Sequence, residues 1–201
     1  MAEDIRIGVF VCDCGSNIAG YLDCPSLAEY SETLPNVVFV KENLYTCSET
    51  GINEIKDAIK DEKLNRVVVA SCSPRTHEPL FRESCEEAGL NPYLFEMVNI
   101  RDQCSWVHMQ EREEGTDKAR DLIRMGVAKA ALLQPQEPIQ SEMDPKALVI
   151  GGGISGMTSA LTLANRGYQV FLVEKSAEMG GLLRNLHRLA PANVDAQELL
   201  A

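Results

Sequence analysis

The sequence predicts an α/β protein, with a doubly wound parallel-sheet domain in its first two thirds and a single truncated strand–helix–strand unit after it. Three observations carry this. Short runs of Val, Ile and Phe without polar alternation recur along the first 133 residues, as in strands buried on both faces. Segments with apolar residues at helical spacing lie between them, the alternation that builds a parallel sheet. A proline-bearing stretch without periodicity then separates this pattern from a last apolar run that meets glycines at once.

In chain order, Arg6–Val11 is a compact apolar run and the first strand, and Pro25–Tyr30 a short helix. Val37–Val40, extending toward Leu44 and Tyr45, is the second strand. Glu49–Asp61 places Ile52, Ile55 and Ile59 on one helical face. Arg66–Ala70 is the clearest strand. Glu78–Ala88 is a helix closed by Gly89, and Tyr93–Val98 is a fourth, weaker strand. Thr116–Leu133 is a longer helix with Leu122, Ile123, Val127 and Ala130 on one stripe. Gln134–Pro145 carries three prolines and reads as a linker or extended arm. The expected organisation is therefore a domain over 1–133, a linker over 134–146 and a second, partial domain over 147–201.

At 201 residues, 45% apolar and 24% charged, the chain can bury a real core. Its net charge of −11 and lack of a Lys/Arg cluster argue against nucleic acid and against an anionic membrane surface. Runs such as Val67–Ala70 are far shorter than a membrane span needs, and the acidic start Met1–Asp4 lacks the features of a signal peptide. A soluble, cytoplasmic protein is expected. Seven cysteines in such a chain favour metal binding or thiol chemistry over a disulfide framework, although any one of them could be a small buried apolar residue.

Gly151-Gly152-Gly153-Ile154-Ser155-Gly156 fits G-x-G-x-x-G, and its context gives the pattern weight. The run Ala147–Ile150 precedes it, an apolar helix from Ile154 to Arg166 follows and stops at Gly167, and a second strand, Gln169–Val173, runs into Glu174. This is a Rossmann-type βαβ unit. Gly151 permits the tight turn, Gly153 lets a pyrophosphate approach the backbone, and Gly156 lets helix and strand pack closely. The helix N-terminus offers unpaired N–H groups to the phosphates. Glu174 can accept hydrogen bonds from a ribose diol and disfavours a 2′-phosphate, so FAD or NAD is expected rather than NADP. Glu174-Lys175 followed by Met179-Gly180-Gly181 is similar to the FAD-binding half of two-dinucleotide flavoproteins, which adds Lys175 and Gly181 to the cofactor-binding set. One βαβ unit cannot cover its own apolar faces, so the chain reads as cut inside its flavin domain.

Each of the four expected strands runs into cysteine: Cys12 and Cys14 after the first, Cys47 after the second, Cys72 after the third and Cys104 after the fourth. Ligands of an open parallel sheet sit beyond the carboxyl ends of its strands, so these five thiols are expected at one edge. Four thiolates suit Zn²⁺ or an iron–sulfur cluster. The spacing is that of neither a zinc finger nor a bacterial ferredoxin, and a neighbouring flavin favours iron–sulfur. Cys24, before Pro25, and Cys85, mid-helix, are expected to be structural. At Cys72, Arg75 and the following helix N-terminus could lower the thiol pKa, or Ser73-Pro74 and Glu78-Pro79 could simply set the turn, with His77 an ordinary loop residue. The sole Trp, Trp106, reads as a packed anchor beside the site, in preference to a catalytic role for His108.

The segments VCDCGSNIAG, VVVASCSPRTHEPLF, AGLNPYLFEMVNIRDQCSWVH, ALVIGGGISGM and LVEK resemble the N-terminal part of the A-subunit family of heterodisulfide reductase, over nearly the whole chain. The resemblance implies an N-terminal domain with a [4Fe–4S] cluster of unusual ligation, then a thioredoxin-reductase-like FAD domain. The ligands would be four of Cys12, Cys14, Cys47, Cys72 and Cys104. It implies an electron-bifurcating oxidoreductase, active in methanogenesis, whose FAD splits electron pairs between ferredoxin and the CoB–CoM heterodisulfide. Its partners would be the other reductase subunits, ferredoxin, and a hydrogenase or formate dehydrogenase subunit that feeds electrons in. This fragment alone would be inactive. Two rivals stand beside it: a non-redox docking module with inert cysteines, and a thiol-active site at Cys72.

Overall fold

The apolar runs of the N-terminal region form four parallel strands, β1 (Ile7–Cys12), β2 (Val37–Asn43), β3 (Arg66–Ser71) and β4 (Phe95–Asn99), in the order β2-β1-β3-β4. The computed structural model describes residues 4–191 and 193–200; Met1–Glu3 of the acidic start lie outside the described residues. It divides into two compact units, Met1–Pro138 and Ile139–Ala201, between two residues of the proline-bearing stretch.

In the first unit the central strands β1 and β3 are buried at every residue, as runs without polar alternation require. Their side chains feed two cores. On one face Val9, Val11 and Val68 pack with Leu22 and Leu27, and with Ile123 and Val127 of α4 (Arg112–Leu132). On the other face Phe10, Val67 and Val69 pack with Ile52, Ile55 and Ile59 of α2 (Glu49–Asp61) and with Phe81 of α3 (Pro74–Glu87). Helices on both faces make the sheet doubly wound, and each fully buried Val, Ile or Phe contributes roughly 1.5–3 kcal/mol. The first helix, α1 (Cys24–Glu32), is capped by Asp23, whose carboxylate accepts from Ser26 N at 3.3 Å; Ser48 caps α2 through Gly51 N at 3.2 Å.

Four elements differ from the expectation, the first being α1, which begins at Cys24, one residue before Pro25. Helix α3 begins at Pro74, four residues before Glu78, and runs through Pro79. Pro74 suits the first helical position, and the carbonyl that Pro79 displaces is that of Arg75, in the exposed first turn where water can reach it. Helix α4 begins at Arg112, where Glu113 and Glu114 favour the first turn but offer no apolar period to read. Tyr93 lies in a 3₁₀ turn, Pro92–Leu94, so β4 starts at Phe95.

The second unit contains β5 (Lys146–Ile150), α5 (Ile154–Asn165) and β6 (Gln169–Val173), with β5 and β6 paired in parallel, and a short antiparallel pair, β7 (Arg188–Leu189) and β8 (Val194–Asp195). Strands β5 and β6 alternate between exposed and half-buried, and α5 has no buried residue. Among the described residues no helix is long and apolar enough to cross a membrane.

Candidate functional site

The chain order reverses between β1 and β3, which puts the topological switch point of the first unit at the carboxyl ends of these two strands. Cys12 is the last residue of β1 and Cys72 follows the last residue of β3. The loops after β1 and β2 zip together, Asp13 N donating to Asn43 O at 2.9 Å and Gly15 N to Leu44 O at 3.2 Å. This brings the Cys47 loop against Cys12, whose Sγ accepts the N–H groups of Cys14 at 3.3 Å and Thr46 at 3.4 Å. Cys14 sits in the left-handed region at φ 47°, a conformation that costs a non-glycine residue roughly 1 kcal/mol.

Two of these thiols, Cys47 and Cys72, are pushed up by burial and by neighbouring cysteines. Burial, and then the neighbouring Cys12 and Cys14, push the Cys47 thiol up. Burial also raises Cys72, opposed by the Arg101 guanidinium, with Cys14, Cys12 and Cys47 adding to the rise. Cys104 is not among the neighbours that act on Cys47 or Cys72. It is fully buried with Ile123 and Cys24 in the α1/α4 core, where burial pushes its thiol up to about 11 against a small pull from Lys118. The fourth strand ends at Asn99, and the turn Arg101–Ser105 carries Cys104 back into the core instead of leaving it at the edge. Cys85 is buried in α3 and pushed up to about 12 by that burial. Cys24, expected in a loop, is the first residue of α1 and fully buried, its thiol raised by burial and by Asp13.

Among the described residues no group of three or more His, Cys, Asp or Glu side chains stands close enough to hold a metal ion. The donors of a single zinc all lie within about 2.3 Å of one point. A four-iron cluster seats each thiolate on a different iron, so its ligands stand further apart. The grouping of Cys12, Cys14, Cys47 and Cys72 is thus compatible with the second kind of site. Asp13 Oδ1, Asn43 Oδ1, Thr46 Oγ1 and Ser71 Oγ are buried without a hydrogen-bond partner among the described residues. All four belong to the strand ends and loops that carry these cysteines, so this edge has polar capacity to spare for water or a bound group.

Arg75 is exposed, and the arginine whose charge reaches Cys72 is Arg101. With burial raising its thiol, Cys72 lacks the depressed pKa of a reactive nucleophile. Trp106, read as a packed anchor beside the site, is 47% exposed with its ring 4.4 Å from the Arg101 guanidinium. His108 Nδ1 lies 3.2 Å from Glu111 and takes no part at the thiol edge. Arg101 was missed in the sequence because charge there says nothing of direction. The RDQCSW segment itself was the available signal.

In the second unit Gly151 takes φ 104°, which only glycine adopts freely, and a Cβ on Gly156 would lie 1.8 Å from the Gly151 carbonyl. A Cβ on Gly153 would meet nothing within 4 Å, so the backbone there is open to an approaching group. Gly153 caps α5, whose first N–H groups point into this opening. Glu174 accepts from Gly152 N at 2.6 Å and Ser176 N at 2.8 Å, and these bonds hold its carboxyl below the usual range. Gly180 N donates to Gly152 O at 2.7 Å, bringing Gly181, at φ 52°, alongside Gly153. Lys175 is exposed.

Comparison with known proteins agrees with both units. A family model described as an NAD(P)-binding Rossmann-like domain matches residues 149–195. The chain is 52% identical over 95% of its length to a protein of Archaeoglobus profundus described as like the heterodisulfide reductase A-subunit. It is 53% identical over 95% to iron-sulfur A-subunit 2 of the CoB–CoM heterodisulfide reductase of Methanopyrus kandleri. It is 52% identical over 94% to the A-subunit of the H₂:CoB-CoM heterodisulfide,ferredoxin reductase of Methanothermobacter thermautotrophicus. The chain spans 27% of the first of these relatives and 29% of the other two.

Proposed function

Because the chain is a homologue of heterodisulfide reductase A-subunits over 95% of its length, we propose that it is an electron-transfer region of such an oxidoreductase. The first unit carries one [4Fe–4S] cluster on Cys12, Cys14, Cys47 and Cys72, and Cys104 is the spare thiol. The second unit begins a flavin domain, with Gly151, Gly153 and Gly156 beside the pyrophosphate of FAD, Glu174 at its ribose, and Lys175 and Gly181 flanking. When bound, the cluster supplies a one-electron carrier between the flavin and its partners. In the whole protein this serves flavin-based bifurcation toward ferredoxin and the CoB–CoM heterodisulfide. The further partners are the other reductase subunits and a hydrogenase or formate dehydrogenase that feeds electrons in, within the cytoplasm.

The observation that carries the cluster is the meeting of the β1 and β2 loops at the switch point, where Cys12 Sγ accepts the N–H groups of Cys14 and Thr46. Hydrogen bonds to sulfur are among the means by which a protein tunes such a group. The iron-sulfur name borne by the Methanopyrus relative supports it from a second side.

The test is anaerobic reconstitution of the chain with iron and sulfide, followed by iron and sulfide analysis and a visible spectrum. About four irons per chain and a broad band near ~400 nm support the reading. A colourless protein with every thiol open to alkylation overturns it.

A further inference from the structure

We propose that Arg101, clamped between the Trp106 ring and the Asp102 carboxylate, is a tuning residue that raises the reduction potential of the group held at Cys14 and Cys72. The inference rests on the cluster reading above.

The segment after β4 folds as a single π-type turn, Arg101–Ser105, with Ser105 N donating to Ile100 O at 3.1 Å and Trp106 N to Arg101 O at 2.9 Å. An α-turn would bring the fourth residue on over Arg101. The wider turn brings the fifth, and that residue is Trp106, whose ring lies 4.4 Å from the guanidinium. Asp102 holds the other side: its Oδ1 accepts from Arg101 Nε at 3.0 Å. Asp102 is itself braced by the last residue of β4, since Asn99 Nδ2 donates to its Oδ2 at 3.0 Å and Asn99 Oδ1 accepts from its N–H at 2.9 Å. Ile100 N donates to Ser71 O at 2.9 Å, which ties the start of the Arg101 turn to the residue before Cys72.

Held this way, just past the strand end that pairs Asn99 with Ser71, the guanidinium carries its charge toward Cys14 and Cys72. It is well shielded, its side chain 19% exposed, so solvent screens it only in part. A surface ion pair would explain Arg101 and Asp102 alone. It would not explain a half-exposed indole stacked on the guanidinium, nor a carboxylate fixed by two hydrogen bonds to the last residue of β4. Uptake of one electron by a bound group adds one negative charge and makes or breaks no bond. A fixed cation nearby therefore favours the reduced form. Trp106 and Asp102 are positioning residues, acting through Arg101.

The test uses the whole 201-residue chain, reconstituted with iron and sulfide, in four forms: parent, Arg101→Gln, Arg101→Lys and Trp106→Leu. Iron content and the midpoint of a mediated redox titration are read, with far-ultraviolet circular dichroism of the apoprotein as the folding control. Iron content is expected to stay at the parent level. Arg101→Gln should lower the reduced-to-oxidised ratio at fixed poise about tenfold, ~59 mV for a one-electron couple. Arg101→Lys, which keeps the charge without the planar stack, should shift less than Arg101→Gln. Trp106→Leu should shift in the same direction and less far. An unchanged midpoint in Arg101→Gln at full iron overturns the inference, as does loss of the cluster in both Arg101 variants, which would make the residue one for assembly. A parent chain that takes up no iron defeats the cluster reading itself, and this inference with it.

Discussion

Strands β1 and β5 have the same local connectivity. Each leads through a turn containing glycine toward a helix and pairs in parallel with the strand that follows. Yet β1 is buried at all six residues, while β5 alternates between exposed and half-buried. The difference lies in the layers around them. Strand β1 has helices on both sides and a strand at each edge; β5 has β6 and the single helix α5, and Ile150 is 80% exposed. A parallel strand becomes rigid when both faces are covered, and only then can the loop at its carboxyl end hold side chains to a fixed geometry. The first unit accordingly draws its grouped cysteines from three loops, whereas the second offers the backbone of one glycine turn.

The strongest way to break this comparison is to remove one side chain from each kind of place in the first unit. Cys47→Ser should reduce reconstituted iron from about four per chain to background, because a cluster cannot do without a ligand. Cys104→Ser, deep in the α1/α4 core, should keep the iron and the spectrum. Equal losses in the two variants would move Cys104 into the ligand set and displace one of the grouped thiols. Next in size is the packing itself. Phe10 is fully buried, its ring centroid 5.7 Å from that of Phe39, so Phe10→Ala should cost about 3–5 kcal/mol in urea unfolding followed by circular dichroism. Phe171, 50% exposed on β6, should cost less than ~0.5 kcal/mol on the same transition when changed to Ala. Comparable costs would mean that the second unit has a core equal to the first.

How much of this was legible in the sequence follows from the same contrast. The central strands were readable because burial on both faces forces an unbroken apolar run, as in Val67-Val68-Val69, whatever the helices above it do. The glycine turn was readable because its requirements are local: Gly151 needs φ above zero and Gly156 cannot carry a Cβ. The thiol site was legible only as a set of strand ends. Which thiols meet is decided by how each loop turns after its strand, and the Arg101–Ser105 turn folds Cys104 inward where a longer loop would have left it at the edge. Arg101 was hidden for the same reason, since its role depends on a five-residue turn that propensities do not encode. The starts of α3 and α4 escaped because their first turns carry proline and charge in place of an apolar period.

Alkaline pH should separate the two units less sharply. All seven cysteines belong to the first unit, and the native state holds the Cys104 and Cys85 protons up to about 11 and about 12. Unfolded thiols release theirs near ~8.5, so above that pH the unfolded state binds fewer protons than the native one. The stabilisation is full below ~8.5 and is lost progressively as pH rises toward the native values. The urea midpoint of the first unit should fall over this range, and Cys85→Val should flatten the fall. A midpoint as steep in Cys85→Val as in the parent would assign the alkaline sensitivity to other groups.

The smallest effect is expected at acid pH in the second unit, and it concerns backbone alone. Glu174 accepts the N–H groups of Gly152 and Ser176, and these bonds lower its pKa below the ordinary glutamate value of about 4.3. The linkage is opposite in sign to that of the thiols: the stabilisation is present above that value and is lost as pH falls through the lower, native one. The carboxylate is exposed, so global unfolding should not register the change. Amide proton shifts and exchange at Gly152 and Ser176 should, moving together as Glu174 is protonated, while Glu174→Gln shows the altered pattern already at neutral pH. In Glu174→Gln at neutral pH the first unit's unfolding midpoint should stay where it is. A shift at Gly152 without one at Ser176 would show that one carboxylate oxygen, not the pair, holds the glycine turn in the shape a pyrophosphate needs.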